Sequence, residues 1–194
     1  MVENRQYDLV DWDGFYHLCL ELVDRILASG KRFDVIIGIS RGGLVPARIL
    51  SDELENPNVV IVKAEFYTDI YKVRPEPRVV QVPEMELAGK DVLLVDDVAD
   101  SGRSLECVSR LLKDKGIKSL LIATVFYKPW SLVVPDFYVR TTDRWIVFPH
   151  EQREAILAIS KKMGQSTPDA VRQQLIDIGF KPSVVDRTLK RKRI

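Results

Sequence analysis

Two kinds of stretch alternate along most of the chain, one continuously apolar and one apolar at helical spacing. The continuous apolar runs predict buried strands over residues 34–39, 59–64, 91–96 and 119–126, with shorter strand-like pieces at 137–139 and 145–148. The helical spacing predicts helices over residues 12–29, 44–54 and 105–115. Strands that alternate with helices are typical of an α/β fold, so we expect a central parallel sheet flanked by helices.

Residues 67–89 interrupt this alternation. The segment contains three prolines and many charged residues, and only residues 78–82 favour a strand within it. We therefore expect a long excursion from the sheet that contains one hairpin strand. A loop of this length in a compact domain is usually functional or mobile.

From residue 149 onward the pattern is helical only. Helices are predicted near residues 150–163, 168–178 and 183–191. Thr167 is suited to cap the second of them, with Pro168 at its first helical position. We therefore expect two domains, residues 1–149 and residues 150–194, of which the second is a three-helix appendage.

The composition argues against several classes of partner. Lys and Arg total 29 and Asp and Glu total 28, so a net charge of +1 gives no overall field that would attract nucleic acid or a membrane. Cys19 and Cys107 lie in helical apolar stretches without metal-ligand spacing, and we expect small buried side chains there. No early segment has the apolar length of a signal peptide or a membrane span, which predicts a soluble, cytoplasmic protein.

The most specific motif is Val-Leu-Leu-Val-Asp-Asp-Val-Ala-Asp-Ser-Gly-Arg-Ser at residues 92–104. It joins an apolar strand to three carboxylates, Asp96, Asp97 and Asp100, and then to a turn that enters a helix. The N–H groups at a helix start favour an anion, and Gly102 lets the backbone approach one closely. The carboxylates would repel a phosphate unless they bind something beside it, such as sugar hydroxyls or Mg²⁺.

The other features of the chain support the same type of site. Residues 38–46 place a Ser-Arg-Gly-Gly turn after the first long strand, a pattern that is only moderately specific by itself. No Gly-Lys-Ser/Thr sequence follows the acidic motif, which argues against a Walker loop. No G-x-G-x-x-G sequence occurs either, which argues against a dinucleotide fold.

Together these two motifs resemble those of the type I phosphoribosyltransferases. The resemblance implies the α/β fold of that family, a central parallel sheet flanked by helices with a small hood. It implies that Asp96 and Asp97 hold the ribose hydroxyls of phosphoribosyl pyrophosphate. Asp100 lies near the purine N7 as general acid or base. The residues implied to cradle the 5-phosphate are Asp100, Ser101, Gly102, Arg103 and Ser104.

The Ser-Arg-Gly-Gly turn matches the pyrophosphate loop of the same family. The residues implied to bind pyrophosphate are Ser40, Arg41, Gly42 and Gly43, with the backbone amides as donors and Arg41 as the cation. In relatives the peptide bond that enters this loop can be cis, which marks Ser40–Arg41 as a candidate. Family members usually carry Thr where this chain has Ser101 and Ser104, and the hydroxyl groups survive the change.

A third segment, residues 126–151, resembles the base-binding part of the xanthine/hypoxanthine–guanine branch, especially its short archaeal members. The resemblance implies that Lys128 donates to the C6 oxygen of the base and that Trp145 stacks on its ring. The backbone at Ile146 meets the far edge of the base. Glu151 helps to organise the base or the metal, although many relatives carry Asp there.

The resemblance also implies a mobile loop, a cofactor and an assembly. Phe66 and Tyr67 begin a loop that closes over the substrate. Mg²⁺ binds through the substrate's pyrophosphate, with Asp96, Asp97 and Glu151 as candidate ligands. The implied partners are phosphoribosyl pyrophosphate and a purine base, in a homodimer or higher homo-oligomer, with no nucleic acid and no membrane.

The expected function is that of a purine phosphoribosyltransferase of nucleotide salvage. The base is a 6-oxopurine (hypoxanthine, guanine or xanthine) or adenine, because the helical tail resembles the extension of crenarchaeal relatives that include adenine enzymes. Two alternatives stay open at this point. One is a non-catalytic regulator that senses phosphoribosyl pyrophosphate on the same fold, and the other is a pyrimidine or orotate phosphoribosyltransferase.

Overall fold

The computed structural model describes residues 7–67, 76–81, 85–164 and 166–191. In chain order its elements are β1 (Tyr7–Leu9), α1 (Trp12–Ala28), β2 (Val35–Ser40), α2 (Leu44–Glu53), β3 (Val59–Tyr67), β4 (Glu76–Gln81), β5 (Asp91–Ala99), α3 (Arg103–Asp114), β6 (Ser119–Tyr127), β7 (Phe137–Thr141), β8 (Trp145–Val147), α4 (Gln152–Lys162), α5 (Pro168–Ile178) and α6 (Pro182–Lys190). The expected order of strands and helices is confirmed from α1 onward, whereas β1 has no counterpart among the predicted elements. None of the helices in these ranges is long and apolar enough to cross a membrane.

The larger of two compact units, Tyr16–Asp143, contains a six-stranded sheet in the order β4-β3-β2-β5-β6-β7. Neighbouring strands are parallel throughout the series β3, β2, β5, β6 and β7. The edge strand β4 pairs with β3 in the antiparallel direction. The predicted parallel sheet and its hairpin strand are therefore both confirmed. On one face, Ile37 and Leu94 pack in a buried cluster with Leu105 and Val108 of α3.

β5 continues beyond the predicted end at residue 96. Its pairing with β6 runs on through Asp96–Thr124, Val98–Phe126 and Ala99–Tyr127. A parallel ladder is made by backbone groups, so the charged side chains of the acidic motif do not end it. The strand therefore carries Asp96 and Asp97 on a rigid element, and the loop starts only after Ala99.

The smaller unit consists, within the described ranges, of residues 7–15 and 144–191. β1 and β8 form a two-stranded parallel sheet, in which Tyr7 is opposite Trp145. Tyr7 and Val147 share a buried cluster with residues of α4, α5 and α6. The helical tail is thus confirmed as three helices, and the Thr167 hydroxyl accepts from the Ala170 N–H at 3.3 Å as its predicted cap. The division into domains 1–149 and 150–194 stays a prediction.

Candidate active site

The two motifs found in the sequence meet where β2 and β5 end. These strands are neighbours in the sheet, although β3 and β4 separate them in the chain. In open α/β sheets, ligands bind at such a point, outside the carboxyl ends of adjacent strands. A Cβ atom on Gly42 would lie 2.5 Å from Asp97 Oδ1, so a glycine is required for the pyrophosphate loop to approach this carboxylate. The Ser40–Arg41 peptide bond, marked as a candidate by the resemblance, is cis.

Asp96 and Asp97 place two carboxylates side by side at the end of β5. The Asp97 side chain is buried, and Asp96 Oδ1 accepts a hydrogen bond from the Asp97 N–H at 3.0 Å. Burial, and then the negative charge of Asp97, raise the pKa of Asp96 well above its usual range, although N–H groups of Asp97 and Gly43 act in the opposite direction. A ligand that brings hydroxyl donors or a cation would relieve this repulsion.

The predicted phosphate turn, residues 100–104, leads directly into α3. Gly102 is the N-cap residue and has a φ of +76°. Because glycine has no side chain that can cap, the N–H groups at the start of this 12-residue helix remain suited to an anion. The Ser101 hydroxyl accepts from the Arg103 N–H at 3.4 Å, which orders the turn.

The structure adds a second reason for glycine at position 102, and the close approach of an anion to its backbone stays a prediction. A Cβ atom there would lie 2.6 Å from Ser131 Oγ and 2.7 Å from the Val133 nitrogen. Gly102 therefore permits close packing of the phosphate turn against residues 131–133, and its positive φ favours glycine independently.

Asp100 accepts a hydrogen bond that the sequence did not indicate. Its Oδ1 is 3.2 Å from the indole nitrogen of Trp130, and both residues are exposed. The Lys128 ammonium lies 5.4 Å from the centroid of the Trp130 ring. Only 5% of Lys128 is exposed, whereas lysine is almost never buried without a specific partner. This burial distinguishes Lys128 from an ordinary surface lysine, and its contact with the base stays a prediction.

Comparison with known proteins identifies the family to which this site belongs. A family model described as the phosphoribosyl transferase domain matches residues 6–154. The chain belongs to the phosphoribosyltransferase family. It is therefore a pentosyltransferase, as the two motifs predicted, and α5 and α6 lie beyond the matched residues.

Individual relatives agree with this assignment. The xanthine-guanine phosphoribosyltransferase of Cereibacter sphaeroides is 34% identical over 147 residues, which are 72% of this chain and 84% of the relative. A purine phosphoribosyltransferase structure from Pyrococcus horikoshii Ot3 has a TM-score of 0.69 at 36% identity, covering 74% of this chain and 93% of that one. A hypothetical protein from Neisseria gonorrhoeae, solved with bound ppGpp, has a TM-score of 0.68 at 28% identity, covering 75% and 89%.

The base-binding residues expected for this phosphoribosyltransferase fall in both units. Lys128 belongs to the larger unit, and Trp145, Ile146 and Glu151 belong to the smaller one. Their union in one base site stays a prediction.

Within the smaller unit, each of these three residues has a distinct environment. The Trp145 ring is 5.5 Å from the Tyr7 ring between centroids, and the Lys162 ammonium lies 4.7 Å from the Trp145 centroid. The α4 helix therefore reaches the residue expected to stack on the base. Ile146 is buried in β8, and Glu151 Oε1 accepts from the Phe148 N–H at 3.5 Å. Glu151 thus orders the turn between β8 and α4.

The predicted mobile loop lies largely outside the described residues. The backbone of Phe66 and Tyr67 forms the end of β3 and pairs with β4. Their side chains and residues 68–75 and 82–84 are outside the described part of the chain. The closing of this loop over the substrate stays a prediction.

Asp96 and Asp97 fit the way in which Mg²⁺ binds to proteins. Within the part of the chain that the structure describes, no cluster of three or more His, Cys, Asp or Glu residues could hold a metal. Mg²⁺ does not require such a cluster, because it usually binds one or two carboxylates together with water and substrate phosphates. A pair of carboxylates beside an anion-binding turn is suited to that arrangement.

Proposed function

We propose that this phosphoribosyltransferase acts on a purine base, with a 6-oxopurine as its preferred substrate. The reaction joins N9 of the base to C1 of the ribose 5-phosphate and releases pyrophosphate. One observation carries the choice of base: Lys128 is buried directly after β6, and its N–H donates to the Ala99 carbonyl at 3.0 Å. The names of the Cereibacter and Pyrococcus relatives support a purine.

The proposed reaction needs groups that tolerate positive charge on the ribose. Its transition state resembles an oxocarbenium ion, because the bond from C1 to pyrophosphate breaks as the bond to the base forms. The carboxylates of Asp96 and Asp97 bind the ribose hydroxyls and, with Asp100, favour that cation. Asp100 accepts or relays the proton of the base. When bound, Mg²⁺ neutralises charge on the pyrophosphate leaving group.

Lys128 favours a 6-oxopurine over adenine on chemical grounds. An ammonium group carries hydrogen-bond donors only. Hypoxanthine, guanine and xanthine present an acceptor oxygen at C6, whereas adenine presents an amino donor there. A buried donor facing a donor leaves both groups unsatisfied, and such a mismatch can discriminate strongly between substrates.

A single assay tests this function. The purified chain is incubated with phosphoribosyl pyrophosphate, Mg²⁺ and one base at a time: hypoxanthine, guanine, xanthine, adenine, orotate or uracil. We expect the nucleoside monophosphates of 6-oxopurines as the main products, detected by chromatography. Products from orotate or uracil alone would contradict the purine assignment. Binding of phosphoribosyl pyrophosphate without any product would favour the non-catalytic regulator.

A further inference from the structure

We propose that Trp130 is a positioning residue that orients Asp100 for proton transfer and links it to Lys128. The inference rests on the proposed function, because it takes Asp100 as the proton-transferring group and Lys128 as the group that contacts the base. Neither the sequence motifs nor the resemblance assigns a role to Trp130.

The backbone on both sides of Trp130 is fixed to the phosphate turn. The N–H of Lys128 donates to the Ala99 carbonyl at 3.0 Å, and the N–H of Leu132 donates to the Ser101 carbonyl at 3.1 Å. Within the segment, the Ser131 N–H donates to the Lys128 carbonyl at 2.9 Å, which closes a turn around Trp130. The position of Trp130 relative to Asp100 is therefore set by hydrogen bonds on either side of both residues.

Burial of apolar surface does not explain the position of the Trp130 side chain, because 55% of it is exposed. Its specific contacts are with two residues of the proposed site, Asp100 and Lys128. Its only side-chain donor, Nε1, points to Asp100 Oδ1 at 3.2 Å. Its ring lies 5.4 Å from the Lys128 ammonium, within the range of a cation–π interaction.

This geometry has a direct consequence for the chemistry. Asp100 is exposed and lies just after the end of β5, so its carboxylate would otherwise sample several rotamers. The indole N–H holds Oδ1, which leaves Oδ2 as the oxygen that exchanges a proton with the base. The same indole ring contacts Lys128. Trp130 therefore fixes the position of Lys128, which recognises the base, relative to Asp100, which exchanges its proton.

Trp130→Phe tests the hydrogen bond separately from the ring. Phenylalanine keeps an aromatic face for Lys128 but has no N–H. Because Asp100 then loses the hydrogen bond that orients it, we expect kcat to fall roughly 10-fold while KM for the base changes little. Trp130→Leu removes the ring as well, and we expect it to raise KM for the base in addition.

Trp12→Phe is the matched control, because Trp12 is exposed to the same extent, 55%. We expect it to keep wild-type kcat and KM. A Trp130→Phe enzyme with wild-type kcat would overturn the inference, as would equal losses in the Trp12 and Trp130 variants.

A double-mutant cycle with Asp100→Asn shows whether Trp130 acts through Asp100. We expect Trp130→Phe to cause no further loss of kcat once Asp100 is replaced, since the group that it positions is gone. Losses that multiply would mean that Trp130 acts independently, and the inference fails while the proposed function stands. Wild-type turnover of Asp100→Asn alone would instead remove Asp100 from the proposed mechanism, and the role of Trp130 with it.

Discussion

At the scale of single residues, Asp96 shows a conflict between folding and binding. Burial and the adjacent charge of Asp97 raise its pKa well above the ordinary aspartate value of about 3.9. Between these two pKa values the folded protein binds more protons at this site than the unfolded chain does. The free energy of unfolding therefore falls as pH rises through this range. This loss of folding free energy arises because the fold holds the carboxylates of Asp96 and Asp97 side by side, where a substrate is expected to bind.

We predict that Asp96→Asn is more stable than the wild type near neutral pH and less active. Its advantage should grow as pH rises above the ordinary aspartate pKa, because the unfolded wild type ionises there before the folded wild type does. Urea unfolding at several pH values measures it. Asp91→Asn is the control with the opposite sign: hydrogen bonds from Lys118 and Ser119 lower the pKa of Asp91, so its variant should lose stability above the ordinary aspartate pKa.

A second prediction concerns the contact of the pyrophosphate loop with β5. In Gly42→Ala, the new methyl group would lie within 2.6 Å of three Asp97 carboxylate atoms, so the loop or the carboxylate has to move. We expect weaker binding of phosphoribosyl pyrophosphate in calorimetry.

Gly164→Ala serves as the control for this substitution. Nothing lies within 4 Å of its Cβ position, although its φ of +59° disfavours alanine. We expect it to lose about 1 kcal/mol of stability with no change in binding. Wild-type affinity in Gly42→Ala would show that the close approach of Gly42 to Asp97 is not needed by the substrate.

At the scale of elements, hydrophobic periodicity predicted the sheet and the helices because most of their signal is local. The elements that it missed depend on distant pairing. β1 has only three residues, and it is a strand because it pairs with β8, more than a hundred positions later. The apolar run predicts that β5 ends at residue 96, whereas its ladder with β6 extends it to Ala99.

The candidate site divides in the same way. Asp96, Asp97 and the glycine turns could be recognised because their chemistry lies in contiguous motifs. The hydrogen bond between Trp130 and Asp100 joins residues thirty positions apart, so it became visible only in three dimensions. The burial of Lys128 also depends on tertiary packing, and a single sequence gives no direct signal for it.

The C-terminal helices allow a prediction at this scale. Leu175 of α5 is fully buried in the cluster that also contains Tyr7 and Val147. We expect Leu175→Ala to lower the free energy of unfolding by about 2–5 kcal/mol, because it leaves a cavity in that cluster. Leu189→Ala is the matched control: Leu189 is 37% exposed in α6, and its loss should be clearly smaller. Equal effects in denaturant unfolding would contradict a shared core of β1, β8 and the tail.

At the scale of the whole molecule, the balance of charge leads us to expect that the reaction depends on a cation. The net charge is only +1, and the proposed site itself contains three carboxylates, whereas phosphoribosyl pyrophosphate is strongly anionic. We therefore predict that EDTA abolishes turnover and that added Mg²⁺ restores it, measured as pyrophosphate release. Full turnover in EDTA would contradict the role assigned to the metal.

The choice between bases also concerns the molecule as a whole, because the core and the tail favour different answers. The motifs of the core resemble the 6-oxopurine branch, and the tail resembles the extension found in relatives that include adenine enzymes. We propose a 6-oxopurine because Lys128, the residue expected to contact the base, is buried. A buried ammonium that contacts the base needs an acceptor, and only a 6-oxopurine provides one at C6.

Lys128→Met tests this choice, because methionine retains much of the buried aliphatic volume and removes the ammonium. If Lys128 contacts the C6 oxygen, kcat/KM for hypoxanthine should fall roughly 100-fold, whereas the low rate with adenine should change little or rise. Lys115→Ala, at an exposed lysine after α3, should leave both rates unchanged. A wild-type enzyme that turns over adenine alone, with Lys128→Met nearly silent, would refute the 6-oxopurine proposal. The assignment to the phosphoribosyltransferase family would stand, because it rests on the match over residues 6–154 and not on Lys128.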